Sequence, residues 1–289
     1  MFVTLASVKG SPGVTSLALA LAAVWPRPVV LLEADLDGGD LGYRARAAHG
    51  GPIAPHRGLL RLASAVRGGP PRPDAVSSQA QLLACGVSLV QGVSAPAQTR
   101  GMGSLWPLIA QACLSADVDV IADLGRLDRT SALLPLAQAS EVFLPVAAAS
   151  LESVMHLSDG LQDLIGGLTP TLTQASSQGP GLGPGQGPTR QTTRRHVVRV
   201  LPILVGPEAH GAADCADLDE VLTRFGMPTE PTMPIPYDAR ALQRLEQGER
   251  PDGRLGRTLL LRATKAVATA VVGETASQHS GRHGGQGAA

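Results

Sequence analysis

The sequence predicts an α/β fold with a mostly parallel sheet and helices on both faces. Residues 2–7 are a short apolar run typical of a buried strand, and residues 15–24 form a helical pattern rich in Leu and Ala that stops before Pro26. Residues 28–34 (PVVLLEA) repeat the buried-strand pattern. A strand, a helix and a second strand with short connections form a right-handed parallel unit, and such sheets bind ligands at the carboxyl ends of their strands.

Length and composition favour one large domain. Of the 289 residues 44% are hydrophobic and 17% are charged, so the chain can bury a sizeable core. We expect a single domain over residues 1–272, a disordered insertion rich in Gly and Pro at about 167–194, and a disordered tail at 273–289.

Charge and cysteine usage exclude several classes of function. The formal net charge is zero, which gives no global attraction for nucleic acid. One arginine cluster lacks interleaved aromatic residues, so we interpret it as solvated and find no direct nucleic-acid signature: Arg190, Arg194, Arg195 and Arg199. The three cysteines form no CxxC pair, which indicates buried thiols in a reducing compartment. No leader-like or membrane-spanning run is seen, so we expect a cytoplasmic location.

The loop after the first predicted strand has the character of a phosphate-binding loop. It reads Val8-Lys9-Gly10-Ser11-Pro12-Gly13-Val14-Thr15-Ser16. Such a loop directs backbone N–H groups and a helix N-terminus at phosphate, and a Ser or Thr hydroxyl at Mg²⁺. Thr15 and Ser16 supply the hydroxyl, but Val14 stands where the usual pattern has a lysine. Only Lys9 and Lys265 are lysines among 24 basic residues, so a lysine within this loop is informative.

Acidic residues follow two further predicted strands. The second strand is followed directly by the turn Asp35-Leu36-Asp37-Gly38-Gly39-Asp40, and the apolar run 118–125 contains Asp123 near its end. Taken alone, these acids are as well explained by a solvated turn and a helix cap. Together with the glycine loop at the same predicted sheet edge, they favour a Mg²⁺ site of the Walker B kind.

The remaining patterns alternate between helices and strands. Helical spacing with capping residues predicts helices, and short apolar runs between Gly and Pro predict strands. In chain order we predict helices at 58–67, 74–84, 101–116, 150–165, 214–225, 237–247 and 256–272, and strands at 86–90, 140–147, 196–205 and 231–236. The last helix is apolar on most sides, and we expect it to pack on the domain. Contact with a membrane surface is the alternative, although no other feature of the sequence indicates it.

With the loop, the acidic turn and Asp123 in place, the chain resembles the MinD/ParA family of deviant Walker A ATPases, and within it the CpaE/TadZ-like or actinobacterial MinD-like branch. Lys9 to Ser16 align without a gap to the family's loop, KGGxGK[ST][ST]. The stretches SEVFLPVAAASLESV, LPILVG and MPIPYDARALQRLEQG also resemble that family. The resemblance covers roughly residues 1–270 apart from the insertion, and it implies a P-loop NTPase fold.

The resemblance also implies roles for individual residues. Lys9 would be catalytic, reaching across a nucleotide-dependent homodimer to the partner's phosphates, and Asp37 would be catalytic beside the attacking water. ATP would be bound by Gly10, Ser11, Gly13, Val14, Thr15 and Ser16, and Mg²⁺ by Thr15, Asp35 and Asp123. The implied protein partner belongs to a chromosome-partitioning, septum or pilus/secretion system.

Val14 is the main departure from the family's pattern. A lost charge-assisted hydrogen bond costs about 1.5–3 kcal/mol, or roughly ten- to a hundredfold in affinity. Pro12 adds to the departure, since it has no N–H to offer to phosphate. We therefore expect an ATP-binding positioning protein with weak or slow hydrolysis, with a pseudo-ATPase scaffold or localisation factor as the alternative. A dinucleotide-dependent enzyme is disfavoured because no GxGxxG follows the first strand.

Overall fold

The computed structural model of the protein describes residues 1–54, 56–94, 96–168 and 197–280. Within them the strands are β1 (Phe2–Ser7), β2 (Val29–Glu33), β3 (Gln81–Leu82), β4 (Ser88–Val90), β5 (Asp119–Arg126), β6 (Val142–Ala148), β7 (Arg199–Val200), β8 (Ile203–Gly206) and β9 (Met233–Pro236). The α-helices are α1 (Val14–Val24), α2 (Leu41–Arg44), α3 (Leu59–Arg67), α4 (Pro96–Arg100), α5 (Trp106–Leu114), α6 (Leu134–Ala139), α7 (Leu151–Leu168), α8 (Gly211–Arg224), α9 (Ala239–Glu246) and α10 (Leu259–Ser280).

The strands form one sheet in the order β3-β4-β2-β5-β1-β6-β8-β9, with β7 beside β6. Among the described strands, every pairing is parallel except that of β3 with β4. Leu5 of β1 and Glu33 of β2 both pair in register with Asp123 of β5. The carboxyl ends of these three strands therefore meet at one edge of the sheet, as the predicted fold class requires.

Helices cover both faces of the sheet because both faces of its central strands are apolar. Phe2 and Phe143 belong to a buried cluster on the face covered by α3, α5, α6, α7 and α8. Val3 and Leu144 belong to a second cluster on the face covered by α1, α9 and α10. Near-continuous apolar runs such as β1 are typical of parallel strands that are buried on both sides.

Helix α10 packs on the domain, as predicted. Its apolar residues are buried against α1 and β9: Leu260, Leu261, Val267, Ala268 and Val271. In the part of the chain that the structure describes, no helix combines the length and the apolar character needed to cross a membrane.

The structure differs from the predicted elements in the 74–84 region and around Pro202. The helix predicted at 74–84 is wrong: a 3-10 turn (Ser77–Gln79) leads into β3, an edge strand set by its antiparallel pairing with β4. The strand predicted at 196–205 is two strands, because Pro202 has no N–H for the ladder.

Two predicted segments are only partly described. Helix α7 continues to Leu168, and the remainder of the predicted insertion, from 169, lies outside the described residues. Helix α10 continues to Ser280, past the predicted start of a disordered tail at 273, and residues 281–289 lie outside the described residues.

The predicted burial of the three cysteines is confirmed, and the interpretation of the arginine cluster as solvated is revised. Cys85, Cys113 and Cys215 are buried free thiols. Arg199 is not simply solvated: its Nε lies 2.5 Å from Oε1 of Glu230, and both side chains are largely buried. The other three arginines of that cluster lie outside the described residues.

Helix α7 packs tightly against the loop after β1. A Cβ atom on Gly160 would lie 2.0 Å from Cγ1 of Val8, a distance that real Cβ atoms do not tolerate. The absence of a side chain at Gly160 therefore sets how closely α7 approaches the start of the loop.

Gly160→Ala should destabilise the protein by about 1–3 kcal/mol, because the added methyl group overpacks the contact with Val8. Gly166→Ala on the same helix is the matched control, since nothing lies within 4 Å of its added Cβ. There the gain in helix propensity should stabilise the fold by about 0.4–1 kcal/mol. Urea unfolding measures both changes, and equal effects of the two variants would contradict the packing argument.

Candidate functional site

A cavity of about 280 Å³ lies at the carboxyl ends of β1, β2 and β5. It is lined by the loop after β1, the acidic turn after β2 and the end of β5: Ser7, Gly10, Ser11, Gly13, Val14, Thr15, Ser16, Asp35, Asp37, Asp40, Arg44, Gly125 and Arg126. The predicted nucleotide-binding residues and two of the predicted acids are thus brought together. Of the other predicted site residues, Asp123 is fully buried on β5, and Lys9 does not line the cavity.

The loop leaves the start of α1 open to a ligand. Gly10 and Gly13 have φ angles of 78° and 93°, in the left-handed region that favours glycine. Gly13 is the N-cap residue of α1 and has no side chain with which to accept from the first N–H groups. The first N–H groups of a helix have no partner within the helix, so this end of α1 suits an anion.

Asp123 is the buried carboxyl group of the site. The Gly125 N–H donates to its Oδ1 at 3.0 Å, whereas Oδ2 has no hydrogen-bond partner among the described residues. Burial raises the pKa of Asp123 to about 7, against the lowering influence of the Thr15 hydroxyl and the Gly125 N–H. Thr15 is thus near enough to favour the charged form, although it makes no well-formed hydrogen bond to Oδ2. A buried oxygen without a donor is suited to a cation.

The acidic turn is pressed against the end of β5. A Cβ on Gly125, whose φ is 61°, would lie 2.1 Å from Cγ of Asp35. The Asp35 side chain accepts a hydrogen bond of 2.9 Å from the Asp37 N–H. Burial raises the pKa of Asp35, and the charges of Asp37 and Asp40 raise it further. The close approach at Gly125 therefore brings the carboxylate of Asp35, after β2, near that of Asp123 on β5.

Glu33 positions this turn, a role that the sequence analysis missed. Its side chain is buried and accepts hydrogen bonds from the N–H groups of Leu41 and Gly92, each at 2.9 Å. A Cβ on Gly39 would lie 2.3 Å from Oε2 of Glu33. Burial raises the pKa of Glu33, and these N–H groups counteract the rise. The sequence did contain a signal for this role: Glu33 is an acid inside the apolar run PVVLLEA, and a buried acid needs hydrogen-bond partners.

Lys9 is turned away from the cavity. Its exposed side chain places Nζ 3.0 Å from Nε2 of His156, which lies on α7. The helical pattern of α7 offers no signal that this histidine meets the loop. In the single chain, Lys9 thus contacts a neighbouring helix and not the N-terminal end of α1.

Two arginines that the sequence analysis did not single out are the basic side chains in the lining of the cavity. Arg44, at the end of α2, donates from Nη2 to Oγ of Ser16 at 3.0 Å and pairs with Glu246 of α9. Arg126 is exposed at the end of β5. Val14 also lines the cavity, but only 6% of its surface is exposed and it belongs to the apolar core cluster under α1.

The predicted metal ligands fit Mg²⁺ carried by a nucleotide better than a cage made by the protein alone. Among the described residues, no group of three or more His, Cys, Asp or Glu side chains is arranged to hold a metal ion. Mg²⁺ typically takes one or two carboxylates and completes its shell with phosphate oxygens and water. Thr15 and Asp35 line the cavity and both lie near enough to the buried Asp123 to influence its pKa, and Oδ2 of Asp123 is the oxygen that such an ion would satisfy.

Known structures share this fold. The MinD septum site-determining protein of Pyrococcus horikoshii OT3, complexed with Mg-ADP, has a TM-score of 0.62 at 10% identity, covering 96% of this chain and 98% of that one. A ParA family ATPase of Chlorobium tepidum TLS has a TM-score of 0.60 at 17% identity, covering 92% and 98%. An ATP complex of McdA from Cyanothece has a TM-score of 0.59 at 18% identity, covering 94% and 96%.

Sequence comparison adds no closer likeness: no protein-family model matches this chain, and no curated protein matches it. The structural likeness establishes the fold. The chain has the P-loop NTPase fold of the ParA and MinD ATPases, which confirms the predicted fold class.

Asp123→Asn should stabilise the protein in the absence of Mg²⁺ and nucleotide at pH 8. The raised pKa means that burying the ionised carboxylate opposes folding at this pH, whereas Asn keeps an acceptor for the Gly125 N–H without the charge. We expect a gain of about 1–3 kcal/mol in the free energy of unfolding. Thermal and urea unfolding measure it, with Asp159→Asn, an exposed acid on α7, as the control. A loss of stability in Asp123→Asn would contradict this account of Oδ2.

Proposed function

We propose that the protein is a MinD/ParA-like positioning protein that binds ATP with Mg²⁺ and hydrolyses it weakly or slowly. The observation that carries the proposal is that the open end of α1 and the acidic turn line one cavity, with the unpartnered oxygen of Asp123 buried next to them on β5. The likeness to MinD bound to Mg-ADP supports the choice of ligand. The deviant Walker A loop and the CpaE/TadZ-like or actinobacterial MinD-like branch are part of the same proposal.

A second, apolar cavity supports a nucleotide over free phosphate. It has a volume of about 70 Å³ and shares Gly13 and Ser16 with the first cavity. Pro12, Leu17 and Tyr237 are among the residues that line it. The polar cavity suits a phosphate chain, and the small apolar cavity beside it offers contact to part of a nucleotide base rather than a pocket for all of it.

In this proposal Thr15, Asp35 and Asp123 hold Mg²⁺, which neutralises charge on the phosphates. Asp37, exposed at the cavity, orients the attacking water. Loop N–H groups between Gly10 and Ser16 bind the phosphates, although Pro12 contributes none. Val14 is buried and uncharged, so the developing charge of the transition state has no lysine at this position.

The weak ATPase and the pseudo-ATPase scaffold differ in measurable ways. A fluorescent ATP analogue titrated with Mg²⁺ should bind the weak ATPase in the micromolar to millimolar range, with slow phosphate release in a coupled assay. Binding without release would favour the scaffold that does not turn over nucleotide. No binding at millimolar nucleotide would overturn the proposed function.

Lys9 supports a dimeric form of this proposal. Its contact with His156 keeps it outside its own cavity, while its exposure leaves it accessible to a second subunit. We infer that Lys9 contacts the partner subunit's phosphates in a nucleotide-dependent homodimer, and that the dimer acts in the cytoplasm on a protein of a partitioning, septum or pilus/secretion system.

Lys9→Ala should weaken dimerisation in the presence of ATP and Mg²⁺ and leave the folded monomer intact, because an exposed side chain contributes little to stability. Lys265→Ala, which removes the chain's other lysine from an exposed position on α10, is the matched control. Analytical ultracentrifugation with and without nucleotide reads out both variants. If Lys9→Ala dimerises as well as the control, the role in trans is wrong.

A further inference from the structure

We propose that Arg44 makes the cationic contact to the phosphate chain that Val14 does not make. The proposal rests on the proposed binding of ATP at this site and adds a residue to it. Arg44 lies outside the phosphate-binding loop, on the one-turn helix that follows the acidic turn. Its side chain is part of the lining of the cavity.

The charge balance of the cavity requires a cation of this kind. The carboxylates of Asp35, Asp37 and Asp40 line it, whereas Val14 contributes a buried apolar side chain. A triphosphate entering such a site meets net negative charge, of which Mg²⁺ neutralises only a part. Among the described lining residues, the side chains with a permanent positive charge are Arg44 and Arg126.

Arg44 is held in place, whereas Arg126 is not. The Arg44 side chain is 33% exposed, and its Nη2 group is fixed by Oγ of Ser16 at 3.0 Å and by the carboxylate of Glu246. Arg126 makes no side-chain hydrogen bond among the described residues and is exposed, so binding a ligand would cost it more side-chain entropy. Preorganisation therefore favours Arg44 as the phosphate ligand.

The geometry of the guanidinium leaves donors for a ligand. An arginine carries five N–H donors in a fixed planar fork. The contacts with Ser16 and Glu246 both use Nη2, and the N–H groups of Nη1 and Nε have no partner among the described residues. A fork that is anchored at one end and open at the other suits the oxygens of a phosphate chain. Ser16 follows Thr15 at the start of α1, so the fork lies beside the phosphate-binding end of the helix.

Arg44→Ala should weaken binding of a mant-labelled ATP with Mg²⁺ by roughly ten- to a hundredfold, the value of a charge-assisted hydrogen bond. Binding of mant-labelled adenosine, which has no phosphate, should be unchanged. Arg44→Lys, which keeps the charge without the fork, should fall between wild type and Arg44→Ala. Arg240→Ala on α9 removes an exposed arginine as the matched control and should bind both probes like wild type.

Glu246→Gln separates a phosphate ligand from a structural link between α2 and α9. The change keeps an acceptor for Nη2 and removes the charge that neutralises Arg44, so a phosphate-binding Arg44 predicts tighter ATP binding in this variant. A structural link predicts that Glu246→Gln and Arg44→Ala lose affinity alike, for ATP and for adenosine, with a matching loss in urea unfolding; that result would overturn the role of Arg44.

The two levels of the proposal fail in different ways. If wild type binds ATP and Arg44→Ala binds it equally well, Arg44 is not the phosphate ligand, while the proposed function stands. If wild type binds neither mant-ATP nor mant-adenosine at millimolar concentration, both the proposed function and the role of Arg44 are wrong.

Discussion

The site depends on the parallel pairing of β1 and β2 with β5 at Asp123. Leu5 and Glu33 both face Asp123 in register, and the Ala34 N–H donates to its carbonyl oxygen at 2.8 Å. A one-residue slip would move the carboxylate to the other face of the sheet and away from the loop. With the register fixed, the Asp123 carboxyl lies in the core next to the cavity, where its ionised form opposes folding. If Mg²⁺ binds there as proposed, stability and ligand binding are coupled through one side chain.

Three glycines allow the close approaches that shape the site around these paired strands. Gly125 lets Asp35 touch the end of β5, Gly39 leaves room for the carboxylate of Glu33, and Gly160 lets α7 reach the loop. At each of these positions a Cβ would lie at 2.3 Å or less from a neighbouring atom. Glu33 in turn ties the acidic turn to the sheet through backbone N–H groups rather than through another charge, so the turn is held without neutralising the carboxylates that face the cavity.

The sequence allowed the buried parallel strands and the glycine loop to be predicted, because each has a local residue pattern. Features that depend on contacts between distant parts of the chain could not be predicted in this way. The strand before the loop, α1 and β2 were predictable because their apolar runs end at Gly, Pro or acids. The edge strand β3 was not, since two residues carry no periodicity and their pairing with β4 decides their conformation. Arg44 sits on a single helical turn whose only distinction is what it touches: Ser16, 28 positions away, and Glu246, 202 positions away. Such contacts appear only once the chain is folded.

Burial at position 14 explains why the missing cation would be supplied from outside the loop. In a chain whose basic residues are nearly all arginine, Lys9 and Lys265 apart, the nearest replacement for a loop lysine would be arginine. Val14, however, begins α1 with its side chain packed in the core cluster, so a longer charged side chain at this position would be partly desolvated by its apolar neighbours. At the end of α2 the same group keeps a third of its surface in solvent, pairs with Glu246 and still meets the start of α1 through Ser16. Arg44 is thus placed where its charge can be solvated before a ligand binds, while the side chain at position 14 packs in the core.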